Sequence, residues 1–285
     1  MRAGAAVCVL LATIGACTAR APQPAAGASP EPGVLIIGDS VATGMSWHDD
    51  AIAAMQKNLA VYWQVAICRT VTGVSCPFDG QRPPTLLDLV AALGRVPPIV
   101  VVELGYNDDA STFALGVDEA MRALVAAGAK HVLWLTLHAV REPYPELNAA
   151  LRQATTKWHR LELVDWDAAA QGHPEWFQTD GIHLLDAGGL AMAHLVHAAV
   201  MGIVDPLRVV TPLRLRDGRA YELRLRAAGG TPPYRWAVLR GRPPHGFHLH
   251  ADGEVLARPH GPPTAFTLVV TDADGATADA RAVAR

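Results

Sequence analysis

The chain has 285 residues, a formal net charge of -3, 51% hydrophobic residues and 18% charged ones. That composition predicts a folded core rather than disorder, and the length allows one large or two smaller domains. The near-neutral charge and the absence of a long Lys/Arg run argue against a nucleic-acid binder.

In chain order, Arg2 and the apolar run Ala5 to Ile14 read as a secretion signal. The run is shorter than the roughly 20 residues a membrane-crossing helix needs, and no later segment reads as long and apolar enough. Ile14-Gly15-Ala16-Cys17 resembles a bacterial lipobox, which implies a signal peptide over 1–16 and a diacylglycerol anchor on Cys17. The expected location is the cell surface or periplasm, with release after ordinary cleavage as the alternative. Residues 17–33 are small and Pro-rich, as a flexible tether would be. Of four cysteines, Cys8 would leave with the signal and Cys17 would be lipidated. Cys68 and Cys76 remain, either as a disulfide or as two buried thiols. A bridge would close a short loop and contribute roughly 2.5 kcal/mol.

From residue 34 to 204, apolar strand-like runs alternate with helical periods. The runs are Val34–Ile37, Val61–Ile67, Ile99–Leu104, His131–Leu137 and Leu161–Trp166. Between them Ile52, Met55 and Leu59, then Leu86, Leu89, Val90 and Leu93, share helical faces. Val117, Met121, Leu124 and Val125 do so again, as do Leu147, Leu151, Ala154 and Trp158. A last helix is expected from an Asp186 cap to about Met201. This order predicts an α/β three-layer sandwich with five parallel strands. Ligands of such sheets bind at the carboxyl ends of the strands.

Residues 205–285 lack a helical period. Alternation in Leu213–Arg216, Tyr221–Arg226 and Phe266–Thr271, with Asp-Gly and Gly-Gly turn pairs at 217, 229, 252 and 274, predicts a small β-sandwich. The succession Gly230–Trp236, Pro243–Leu249, Asp252–Val255 and Phe266–Gly275 resembles the Ig-like modules of bacterial surface proteins. That resemblance implies a spacer or binding role.

Three short segments could carry chemistry. Gly38-Asp39-Ser40 ends the first strand, where a Ser in a sharp turn stands above the sheet and its N–H can face an oxyanion. Gly105-Tyr106-Asn107-Asp108 follows the third strand, and the Asn107 amide is a candidate donor or a helix cap. Asp180-Gly181-Ile182-His183 follows the fifth: a Ser nucleophile needs a base, and the imidazole needs a carboxylate to fix its tautomer. Each alone is unspecific; together they meet on one sheet edge.

In order and context these segments resemble the SGNH, or GDSL-like, hydrolase family over residues 34–203. The resemblance implies a flavodoxin-like sheet in the order 2-1-3-4-5, with Ser40 as nucleophile, His183 as base, Asp180 as its carboxylate, and Ser40 and Asn107 in the oxyanion hole. It implies serine esterase activity without a cofactor or metal. The acyl-ester substrate would include O-acetyl groups on glycans; acyl transfer to a sugar acceptor and a non-catalytic surface binder are the alternatives. The family usually has Gly after the second strand, where this chain has Cys68-Arg69; Cys68 is the expected second N–H donor, with Gly73 as the alternative. Asp39 either supports the turn or is solvated. Arg69 either binds a polar substrate group or makes a surface salt bridge. Trp176 either walls the site or packs in the core, and His245, His248 and His250 read as a solvated face.

Overall fold

The computed structural model describes residues 32–285; the signal peptide, Cys17 and the tether up to residue 31 lie outside the described residues. Five parallel strands form the first sheet: β1 (Gly33–Gly38), β2 (Ala60–Val65), β3 (Ile99–Glu103), β4 (His131–Leu135) and β5 (Leu161–Val164), in the order β2-β1-β3-β4-β5. Their centre is apolar because both faces are covered: β3 is buried at all five positions and β1 at five of six. The covering helices are α1 (Thr43–Ser46), α2 (Asp49–Gln56), α3 (Leu86–Leu93), α4 (Ala110–Ala126), α5 (Tyr144–Lys157), α6 (Trp166–Ala170) and α7 (Asp186–Val204).

All five expected strands form; β1 extends one residue past its apolar run, to Gly38, and the other four end one to two residues earlier than theirs. The freed residues become the loops that carry polar groups at the carboxyl edge. Asp186 is the first residue of α7 rather than its cap; Leu185 occupies the cap position without a side-chain hydrogen bond. α7 also corrects the hydropathy reading: with 19 residues and mean hydropathy 1.7 it is long and apolar enough to cross a membrane. Here it is a core helix, with Gly188, Gly189, Met192, Ala193, Val196 and Val200 buried. Gly189 permits this packing, since a Cβ there would fall 2.1 Å from the Gly44 carbonyl oxygen.

Past Val204 the chain is all β: β6 (Arg208–Val209), β7 (Arg214–Leu215), β8 (Tyr221–Arg224), β9 (Ala227–Ala228), β10 (Arg235–Gly241), β11 (His245–Leu249), β12 (Glu254–His260), β13 (Thr264–Thr271) and β14 (Thr277–Ala284). They pair as β10-β13-β14-β7, β11-β12-β8 and β6-β9. The expected Asp-Gly turns connect β11 to β12 and β13 to β14, with Gly253 and Gly275 at positive φ. Trp236, Val255, Phe266, Leu268 and Val270 form a second core, separate from the first. The segment from Glu31 to Arg285 is nonetheless one unit by its internal contacts.

Candidate active site

The site is built from the carboxyl ends of the parallel strands. Ser40 stands in the turn between β1 and α1, half-buried. Its Oγ lies 2.9 Å from His183 Nε2. The other ring nitrogen, Nδ1, lies 2.5 Å from Asp180 Oδ2. The second carboxylate oxygen of Asp180 accepts from the backbone N–H groups of Ile182 (2.9 Å) and His183 (3.1 Å). Burial works against its ionisation, but the His183 ring and these N–H groups outweigh it and hold the carboxyl below its ordinary range. Gly181, at φ +72, gives the loop the turn that brings Asp180 back onto the ring.

Asp39 is fully buried, so the solvated reading is excluded. It accepts from Val41 N–H (2.9 Å) and from the Asn107 amide nitrogen (3.0 Å). Burial pushes its carboxyl up to about 6, although these hydrogen bonds and nearby His183 pull the other way. Asn107 does not cap the next helix: Asp109 does, accepting from Ser111 N–H. The Asn107 amide nitrogen also lies 3.3 Å from the Arg69 carbonyl oxygen.

Cys68 and Cys76 form a disulfide with an S–S distance of 2.02 Å. Cys76 Sγ lies 4.0 Å from Asn107 Oδ1, so the bridge borders the site. Ala66 N–H donates to the Gly38 carbonyl (3.1 Å), tying the end of β2 to the nucleophile strand. The next residues turn sharply: Arg69 N–H bonds the Ala66 carbonyl, and Cys68 has φ +72. That conformation at the third turn position is the one that favours Gly, which accounts for the residue type usual there in the family that the sequence resembles. Among the described residues, neither Ser40 N–H nor Cys68 N–H has a protein acceptor. Gly73 is exposed, past Thr72, which packs on Gly116 of α4.

Arg69 corrects both of its readings. It is 3% exposed, Nη1 donates to the Gln64 carbonyl (2.7 Å), and no carboxylate lies within salt-bridge distance among the described residues. Burial lowers its pKa against the pull of Asp39. Trp176 is half-buried and stacks on His173 at 3.9 Å and on Trp166 at 5.7 Å, which makes it a packing residue. His245, His248 and His250 are exposed, and the described residues include no cluster that could hold a metal ion.

Sequence reasoning missed Glu103, Tyr106 and Asp108. Glu103 is 1% exposed, held well above its ordinary range by burial and by Asp39. The signal was present: an acid closes the otherwise apolar run Ile99–Glu103, where a charge is costly. Tyr106 Oη accepts from His138 N–H (2.7 Å) and braces the loop after β4. Asp108 Oδ1 accepts from Val71 N–H (2.9 Å) and fixes the segment after Cys68; burial raises its carboxyl to about 7.

No protein-family model matches the chain. Over 97 residues, 34% of this chain, the sequence is 35% identical to O-acetyltransferase OatA of Staphylococcus aureus (strain NCTC 8325 / PS 47), of whose length the match spans 15%. Similar solved structures include the psychrotrophic esterase EstA from Pseudoalteromonas sp., at 15% identity and TM-score 0.45 over 60% of this chain and 98% of that one. Est24, a carbohydrate acetylesterase from Sinorhizobium meliloti, is similar at 15% identity and TM-score 0.43, over 60% and 99%. The strand order β2-β1-β3-β4-β5, with Ser40, Asn107, Asp180 and His183 gathered on its carboxyl edge, is the flavodoxin-like arrangement that the resemblance to the SGNH, or GDSL-like, hydrolases implies.

Proposed function

We propose that the protein is a serine esterase that removes acyl groups, with O-acetyl groups on carbohydrates as the favoured substrate class. The observation that carries this is the unbroken line Ser40 Oγ–His183 Nε2 (2.9 Å), His183 Nδ1–Asp180 Oδ2 (2.5 Å). Ser40 Oγ attacks the ester carbonyl while His183 Nε2 takes its proton. Asp180 keeps Nδ1 protonated and offsets the charge of the imidazolium that forms. The N–H groups of Ser40 and Cys68 receive the negative oxygen of the tetrahedral intermediate, joined by the Asn107 N–H that exchanges its long bond to the Arg69 carbonyl (3.3 Å) for it. His183 passes its proton to the leaving alcohol. It then draws a proton from water, whose oxygen attacks the acyl-enzyme, and returns that proton to Ser40 Oγ as the acyl–Oγ bond breaks and the acid leaves. No cofactor is needed for this sequence. Ser40→Ala should lower turnover of p-nitrophenyl acetate by roughly 10⁴-fold or more; near-parental activity would remove Ser40 from the reaction.

A second reading, transfer of the acyl group to a sugar hydroxyl, is favoured by the sequence similarity to an O-acetyltransferase. The same residues serve, with the acceptor replacing water. Product analysis with and without an acceptor glycan separates the two. For the rest of the chain, we read Cys17 as the lipid-bearing residue of an exported protein and residues 205–285 as an Ig-like spacer or binding module. The Cys68–Cys76 bridge supports export, because such bonds persist in oxidising compartments. Metabolic labelling with a radioactive fatty acid, lost in Cys17→Ala, tests the anchor.

A further inference from the structure

We propose that Glu103 is a positioning residue for this reaction: with Asp39 it forms a buried carboxyl pair that shares one proton and holds both the Ser40 turn and the Asn107 amide in place. Glu103 closes β3 directly opposite Gly38 in the register with β1. Its side chain lies over that glycine, since a Cβ on Gly38 would sit 3.6 Å from Glu103 Oε2. Oε2 accepts from Ala42 N–H (3.1 Å), and the Glu103 carbonyl accepts from Asp39 N–H (3.2 Å). One residue therefore grips the nucleophile turn on both sides of Ser40.

The two carboxyl groups reach adjacent backbone donors of one turn, Asp39 Oδ1 the N–H of Val41 and Glu103 Oε2 that of Ala42. Two ionised carboxylates offer only lone pairs, so such neighbours can bond to each other only through a shared proton. Burial argues the same way: the residues are 1% and 0% exposed, and two like charges in contact there cannot both persist. The groups that face the pair are Arg69 after β2, Tyr106 and Asp108 after β3, and His183 before α7. Of these, only Arg69 is a permanent cation, which matches a single negative charge on the pair. Asp39 accepts from two donors, Val41 N–H and the Asn107 amide, whereas the Glu103 carboxyl accepts from Ala42 N–H alone, and burial together with Asp39 holds Glu103 well above its ordinary range, so the proton belongs on Glu103. Asp39 is then the charged acceptor for Val41 N–H and for the Asn107 amide. The relay Glu103–Asp39–Asn107 orients a donor that acts only when the oxyanion forms. This rests on the esterase reading above.

The test uses the full chain with p-nitrophenyl acetate, with active sites counted by fluorophosphonate labelling of Ser40. Glu103→Leu, similar in size and without polar atoms, should lower kcat per labelled site at least about tenfold and leave KM within about threefold, because an oxyanion donor contributes mainly in the transition state. Glu103→Gln can donate to Asp39 through its amide and accept from Ala42 N–H through its carbonyl. It should restore kcat to within about threefold of the parent. Parental kcat in the Leu variant, or a Gln variant as slow as the Leu variant, overturns the proposal. If Glu103→Leu does not fold, the infrared C=O band of a protonated carboxyl decides. At about pH 7 the difference spectrum between the parent and Glu103→Gln should carry that band; a difference spectrum without it overturns the shared proton. The band does not depend on Ser40 chemistry, so failure of the esterase reading and failure of the carboxyl pair are separate results.

Discussion

The two halves of the described chain use similar chemistry to opposite ends. Between residues 32 and 204 there are eighteen acids and ten Lys/Arg; between 205 and 285 there are eight acids and twelve arginines. In the α/β half, acids are drawn inward: Asp39 and Glu103 are buried at the end of adjacent strands. In the β half most charges stay outside, in exposed pairs such as Arg224–Asp252 and Arg240–Asp279, and the buried Asp272 accepts from the backbone N–H groups of Thr231, Asp274 and Ala276. Topology accounts for the difference. In a parallel sheet every carboxyl end reaches the same edge, so residues from β1, β2, β3 and the loop before α7 converge. In the antiparallel sheets successive strand ends alternate sides, and polar residues disperse over the surface.

If chemistry resides only in the first half, Asp180→Asn should be strongly damaging, behind only the loss of Ser40 or His183. It leaves the ring without its charge partner, and kcat for an activated ester should fall by roughly 10⁴-fold while the fold persists. Circular dichroism alongside the assay checks this; an active variant would break the assignment of Asp180. The converse lies in the second core. Trp236→Ala empties a buried site and should cost the β half about 3–5 kcal/mol. Thermal unfolding should then separate into two transitions while fluorophosphonate still labels Ser40. Loss of both together would mean that the halves depend on one another for stability.

Two smaller effects sharpen the picture within the α/β half. Cys68 combines a disulfide with a positive φ. Replacing both cysteines by serine removes the bridge and keeps a side chain in the left-handed region, where it costs about 1–2 kcal/mol. Cys68→Gly with Cys76→Ser removes the bridge but relieves that conformation. The Gly variant should be the more stable and more active of the two; equal behaviour would separate Cys68 backbone geometry from the reaction. Asp108 gives a pH-dependent signature. Its carboxyl rises from 3.8 to about 7 on folding, so the folded state binds the extra proton and loses stability as pH climbs through that window. Asp108→Asn cannot titrate and keeps an acceptor for Val71 N–H. Relative to the parent it should gain nothing at about pH 4 and on the order of 1 kcal/mol above about pH 7, after discount for partial solvation. Denaturant titrations at the two pH values measure it.

What the sequence by itself determined is local. Apolar runs of four to seven residues specified the strands, and the helical periods between them specified the layers. Three short motifs at strand ends specified which residues could meet, because the carboxyl edge of a parallel sheet is a consequence of chain order. In the β half the Asp-Gly turns were legible, but β10, β12 and β14 were not assigned as strands: Arg235–Gly241 buries only Trp236, and in Thr277–Ala284 the inward positions are mostly filled by small alanines, which give a weak apolar signal. Only the tertiary structure decided the surroundings of the motifs. Whether Arg69 is a surface or an interior residue depends on what covers it, and that cover comes from distant segments. The same holds for Asp39, read as a turn residue and found at the centre of a network with Glu103, Asn107 and the Cys68 turn. Protonation of such groups is set by desolvation and by charges far away in sequence, which no local pattern encodes. The nucleophile and its base are therefore readable in the chain, while the groups that hold them become visible only when the strands lie side by side.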